Sequence, residues 1–222
     1  MPKTLAEPAA SYTRFEELDS HPFANGKPWL IVGKGPSVDQ IWRIDTTCYN
    51  VICINDAILK TKKAAVVIFT EADILKRPGL SGSMAMRAEW VMAGDPIRDP
   101  ENGKRTLFID LWRRCRMLRN LASIGGNLIT YDWRQGESTD RGVVTARYSS
   151  SENALHLACI LGATGTVYTI GIDGGTDYGN GFAPNANPAK RQNFNRQFPP
   201  LRRISHLYGV NVRPVIDPSC SK

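Results

Sequence analysis

One kind of segment recurs along this chain: a short, nearly continuous run of β-branched and other apolar residues. WLIVG (29–33), YNVICIN (49–55) and AAVVIFT (64–70) are the clearest. A strand with one face in water alternates apolar and polar residues, so unbroken runs fit strands covered on both faces, as in a parallel sheet. RTLFID (105–110), NLITYD (127–132), TVYTIGID (166–173) and GVNVRPV (209–215) extend the series. LWRRCRMLRNLAS, between the first two of these, predicts a helix. SSSENALHLACILGATG predicts another. Ser149 to Ser151 offer a cap, Glu152 lies in the first turn, and Ala154, Leu157, Ala158 and Leu161 recur at helical spacing before Gly162 ends the helix. Strands alternating with helices predict an α/β fold with a mostly parallel, doubly wound sheet. A single domain over residues 28–222 follows an arm, residues 1–27, that reads as irregular, and no repeat or linker divides the chain.

The chain has 222 residues, 42% of them apolar, enough to bury one sizeable core. No apolar stretch approaches the roughly 18 residues of a membrane helix, so no transmembrane segment is expected. The first residues lack an apolar centre and carry several acids, which points to an intracellular, cytoplasmic protein. Cys48, Cys53, Cys115, Cys159 and Cys220 form no CxxC pair, so neither a zinc knuckle nor a disulfide frame is expected. Cys53 and Cys159 sit inside apolar runs and read as core. A net charge of +7 suits an anionic partner, and WRRCRMLR (112–119) concentrates it.

In doubly wound sheets ligands bind beyond the carboxyl ends of the strands. Gly33, Lys34, Gly35, Pro36 and Ser37 follow the first run, Asn55 and Asp56 the second, and Thr70, Glu71 and Asp73 the third. Gly171, Ile172, Asp173, Gly174 and Gly175 follow the run that succeeds the long helix, and Arg147, Ser149 and Ser150 stand at that helix's start. This set is polar, glycine-rich and suited to anions, as in a nucleotide cleft. Gly33 and Gly35 permit a tight turn and close approach of a ligand, and amides at a following helix start would attract phosphate. The stretch is neither GxGxxG nor a Walker loop, so a structural turn is an equal alternative. Arg147 beside the serines adds a fixed positive charge.

In combination, IVGKGPS, CIN, RYSS…ALHLACILGATGTVYTIGID and YGVNVRPVIDPS resemble the landmarks of bacterial lipooligosaccharide sialyltransferases, in order from about Trp29 to Ser219. The same landmarks occur in related 6-hydroxymethylpterin diphosphokinase-like proteins. The resemblance implies a Rossmann-like fold and metal-independent, cofactor-free, inverting transfer from a cytidine-monophosphate sugar to a glycan or other anionic acceptor. It sets Gly33 and Gly35 against the nucleotide and matches Asn55 to an asparagine that holds it. Arg147, Ser149 and Ser150 match an arginine and hydroxyl pair near the cytidine and phosphate. Lys34 and Thr70 stand where that family has asparagines. Its two tyrosines after GID are replaced by GGTDYGNGFA, with only Tyr178 available, and its histidine base has no counterpart in NPAKRQNFNRQ. His206, the one downstream histidine, reads as a helix-surface residue.

A transferase needs a base for the acceptor hydroxyl and positive charge for the leaving phosphate. Asp173 or Asp177 can serve as the base, and Lys190 and Arg191, with Arg147, can serve the phosphate. Residues 174–200 form a long glycine-, asparagine- and proline-rich loop that reads as a mobile, lid-like segment. The expectation is therefore a glycosyltransferase using a nucleotide-activated sugar. Two alternatives remain: a pyrophosphoryl transferase holding magnesium on Asp173 and Asp177, and a non-catalytic nucleotide or nucleic-acid binding module. The reading leaves room for a homo-oligomer.

Overall fold

Leu30, Ile31 and Val32 are apolar at three consecutive positions, and the fold buries all three completely. The structure, a computed structural model, describes residues 13–14, 23, 25–69, 74, 79–95, 127–134, 143–145, 149–182 and 193–215. The described strands are β1 (Thr13–Arg14), β2 (Trp29–Val32), β3 (Asn50–Ile54), β4 (Ala64–Phe69), β5 (Ala88–Asp95), β6 (Asn127–Arg134), β7 (Val143–Thr145), β8 (Thr166–Ile170) and β9 (Asn211–Pro214). The α-helices among these residues are α1 (Leu80–Arg87), α2 (Ser150–Ile160) and α3 (Phe198–Tyr208). Residues Pro36–Arg43 and Asn55–Lys60 form 3-10 helices.

Every described strand pair is parallel, in the order β1-β6-β5-β4-β3-β2-β8-β9. Asp132 of β6 pairs with Asp95 of β5 and Val143 of β7, so β7 and β1 share the far edge of β6. The fold is thus a single α/β, Rossmann-like domain with a doubly wound sheet.

Alternation within each strand divides the core in two. Trp29, Ile31, Ile52, Ile54, Val66 and Ile68 face α2 and α3, against Ala154, Leu157, Leu201 and Ile204. Leu30, Val32, Val51, Cys53, Val67 and Phe69 face the 3-10 helices and α1, against Val38, Ile41, Ile58, Leu80 and Met84. Both faces exclude water, which is why the runs carry no polar alternation. Burial pushes the Cys53 and Cys159 thiols up to about 12, as fits core residues. No described helix is long and apolar enough to cross a membrane.

Several elements differ from the sequence expectation. Thr13–Arg14, within the arm read as irregular, pairs with Ile129 and Thr130. Phe23 is buried edge-on against Trp29, with ring centroids 5.5 Å apart, and Asn25 exchanges two 2.9 Å hydrogen bonds with Asn50. These contacts bind that segment to the sheet. α1, β5 and β7 were not anticipated. AEWVMAGD carries Glu89, Gly94 and Asp95, which break the apolar run that marks the other strands. The expected strand at 105–110 and the helix containing WRRCRMLR lie outside the described residues.

Candidate functional site

The chain leaves β2, builds outward through β3 to β6, and returns to β8 on the other side of β2. Strand order therefore reverses between β2 and β8, the position at which a doubly wound sheet opens a crevice beyond its carboxyl ends. Val32 lies opposite Cys53 and Ile170, and Ile54 opposite Ile68. Gly33, Asn55 and Gly171 thus leave the sheet at one edge, as the sequence requires. Thr70, Arg147, Lys190 and Arg191, expected at the same edge, lie outside the described residues.

The loops after β2 and β8 are clasped together. The Gly33 and Gly35 amides donate to the Ile170 and Gly171 carbonyls, each at 2.8 Å. Ser37 donates its amide to Asp173 Oδ2 at 2.7 Å and its hydroxyl to Asp173 Oδ1 at 2.5 Å. The same hydroxyl accepts from the Gly171 amide at 2.7 Å. A Cβ on Gly33 would press into the Gly171 carbonyl, and one on Gly35 would come within 2.5 Å of Asp173 Oδ2. Gly171 adds a φ of +72°. Backbone touching backbone explains these glycines. The amides of Gly33, Gly35 and Ser37 are already engaged, and the Asp173 carboxylate takes the anion's place at the start of the Pro36–Arg43 helix. For this stretch the structural turn prevails over a phosphate cradle. Asp173 and Asp177 are both exposed, and both Asp173 oxygens accept from Ser37. Pro36 stands at the first turn of its helix, where its missing amide hydrogen is not needed.

Beside the clasp lies a second group. The Lys34 ammonium is 3.1 Å from Oδ1 of the buried Asp56 and 5.1 Å from the centroid of the Tyr178 ring. Asn55, immediately before Asp56, has a φ of 55°, the one positive value at a described non-glycine residue. Asparagine tolerates this left-handed turn better than a bulkier residue. Burial first, and the Asp56 charge second, hold the Tyr178 phenol above its ordinary value. Lys34 remains about a quarter exposed, so it can still meet an incoming anion.

The described part of the expected lid is fixed to this group. Gly179 donates its amide to the Lys34 carbonyl at 2.8 Å, and Asn180 donates to both Asp39 carboxylate oxygens, at 3.1 and 2.8 Å. Lys60 pairs with Asp39 at 3.0 Å, and Phe182 is buried. Farther on, the Phe194 amide donates to the Gly175 carbonyl at 2.8 Å, and the Phe194 ring meets Tyr178 edge-on at 5.3 Å. Residues Phe194–Gln197 are a 3-10 helix leading into α3, so the last part of 174–200 is helical. Residues 183–192 lie outside the described set.

The start of α2 completes the edge. Ser149 occupies the cap position but makes no capping bond with its side chain. Its hydroxyl lies 2.7 Å from that of Ser151, which donates to Gln197 Oε1 at 2.8 Å. Polar contacts continue along the α2–α3 seam. Arg203 reaches the fully buried Glu152 at 3.2 Å, and His156 Nε2 lies 2.8 Å from the Tyr208 hydroxyl. Asn153 is 1% exposed, and neither atom of its carboxamide has a hydrogen-bond partner among the described residues. A buried polar group in that condition costs about 1–3 kcal/mol. Sequence reasoning passed over Asn153, although it precedes Leu157 by one turn and so adjoins the apolar face of the helix. His206 is exposed, as expected.

Chemically, this edge offers an ammonium about a quarter exposed, a helix start that Ser149 does not cap with its side chain, and a carboxamide without a hydrogen-bond partner among the described residues. Such groups suit an anionic ligand with a polar, planar part. Among the described residues, no three His, Cys, Asp or Glu side chains come together as a metal site. Comparison with protein-family models, with curated proteins and with solved structures finds no match.

Proposed function

We propose that the chain is a glycosyltransferase that binds a nucleotide-activated sugar, a cytidine-linked acidic sugar, across the carboxyl ends of β2, β3 and β8, and passes the sugar to a hydroxyl of a glycan or other acceptor. The reversal of strand order between β2 and β8, with Lys34, Asn55 and the start of α2 at that same edge, carries the reading. In it, the Ser149 and Ser150 end of α2 and the Lys34 ammonium receive the phosphate. Asp173 holds the two loops in register as a positioning residue. Asp177, exposed beside Tyr178, replaces it as the carboxylate that takes the acceptor's proton. Lys190 and Arg191 bring positive charge toward the leaving phosphate. The transfer needs no metal, and the protein works in the cytoplasm.

The capture of both Asp173 oxygens by Ser37 favours a second reading, a nucleotide-binding module without catalysis. It also weighs against Asp173 and Asp177 as a magnesium pair for pyrophosphoryl transfer. The test is thermal unfolding with cytidine, uridine, guanosine and adenosine nucleotides, with magnesium or with chelator, followed by a donor-hydrolysis assay. Stabilisation by a cytidine nucleotide in chelator, together with turnover of the donor, is the expected result. Stabilisation without turnover selects the binding module. Stabilisation only by a triphosphate with magnesium overturns both.

A further inference from the structure

Asn153 carries an unmet requirement. Its carboxamide has one donor side and one acceptor side, both buried and both without a partner among the described residues. A core position with no polar task would be apolar, as Ala154, Leu155, Leu157 and Ala158 are. A phosphate alone would satisfy only the donor. The partner that satisfies both presents a donor and an acceptor side by side in one plane, which is the edge of a nucleobase.

The position fits. α2 lies over β2, β3 and β4 and is followed directly by β8, so its first turn stands at the carboxyl edge. That turn touches Gln197, while Phe194 of the same 3-10 helix is bonded to Gly175, beyond β8. The uncapped start of α2 is a second, independent feature of the same turn. The Glu152 amide donates to the Ser149 carbonyl at 3.1 Å, and the positive end of the helix attracts an anion, with Asn153 one turn in from that end.

We propose that Asn153 reads the base of the bound nucleotide: its carboxamide pairs with the hydrogen-bonding edge of the base while the first amides of α2 face the attached phosphate. The inference rests on the nucleotide reading above and does not depend on sugar transfer.

The test compares the full chain with Asn153→Leu and Asn153→Ala by calorimetry. The probes are CMP, UMP, AMP, GMP and ribose 5-phosphate, which keeps the sugar and phosphate but has no base. Wild type is expected to bind one nucleotide more tightly than ribose 5-phosphate, and the four nucleotides identify which base is read. Asn153→Leu, free of the unpaired amide, is expected to melt no lower than wild type. It should lose about tenfold or more in affinity for that nucleotide while binding ribose 5-phosphate unchanged. Asn153→Ala gives the same contrast if leucine disturbs folding. Equal affinity of wild type and both variants for the nucleotide overturns the role of Asn153 and leaves the nucleotide reading standing. An equal fall for nucleotide and ribose 5-phosphate overturns it too, since the loss is then not at the base. No binding of any nucleotide by wild type overturns the reading and the inference together. Base-dependent binding without donor turnover supports the inference and removes only the transferase.

Discussion

At the scale of single residues, the glycines after β2 separate two ideas that the sequence left equal. A ligand-approach glycine tolerates alanine in the free protein, whereas a glycine wedged between two backbones does not. Because a Cβ on Gly33 meets the Gly171 carbonyl, Gly33→Ala should destabilise the free protein by about 1–3 kcal/mol in urea unfolding, through overpacking. Asp39 gives a residue-level prediction in pH. The Asn180 amide first, and Lys60 as a further cause, hold its carboxyl below the ordinary 3.8. A depressed folded-state value means that the contribution is fully present above the unfolded value and is lost as pH falls through the folded one. Wild type should therefore lose more stability than Asp39→Asn on acidification from about pH 6 to about pH 3, when melting temperatures are compared across that range. The effect is small, because the site is solvent-screened.

At the scale of elements, α2 and α3 are joined by polar pairs within an otherwise apolar layer. Glu152 is fully buried and Arg203 is 26% exposed. Removing the guanidinium leaves a carboxylate in the core with less compensation. Arg203→Ala should cost about 2–3 kcal/mol in denaturant unfolding, below the range for a wholly buried pair because water reaches the arginine. The segment after β8 behaves as an element too. Few of its residues are large and apolar, and on composition alone it should exchange its amide hydrogens quickly. Its amides at Gly179, Asn180 and Phe194 instead donate to Lys34, Asp39 and Gly175. Hydrogen exchange of the free protein should therefore show these three protected relative to Thr176 and Asp177, whose surroundings are exposed. Uniformly fast exchange over residues 174–182 would restore the mobile lid.

At the scale of the whole molecule, one edge of one sheet collects the groups with chemical potential, because all described strands run parallel and end together. The runs at β2, β3 and β4 were legible, since burial on both faces leaves an unbroken apolar signature. Those at β6, β8 and β9 were legible from their β-branched and aromatic residues, although β9 closes the sheet as a largely exposed strand. So was α2, whose apolar spacing and Gly162 stop are local features. α1 and β5 were not, because AEWVMAGD holds its place through pairing on both sides rather than through composition. The edge to which Gly33, Asn55 and Asp173 belong followed from strand order alone. What each residue does there did not. Asp173 reads as a free carboxylate in the sequence and is a tether in the fold, because Ser37, 136 positions away, reaches both its oxygens. Asn153 reads as an ordinary helical residue and is a buried amide without a hydrogen-bond partner among the described residues. Periodicity and turn chemistry are carried by neighbours in the chain, and these determined the fold class and the edge where a ligand would sit. Hydrogen-bond partnership depends on which segments the sheet brings side by side, and only the tertiary structure decided which polar groups are spent on the fold and which remain for a ligand.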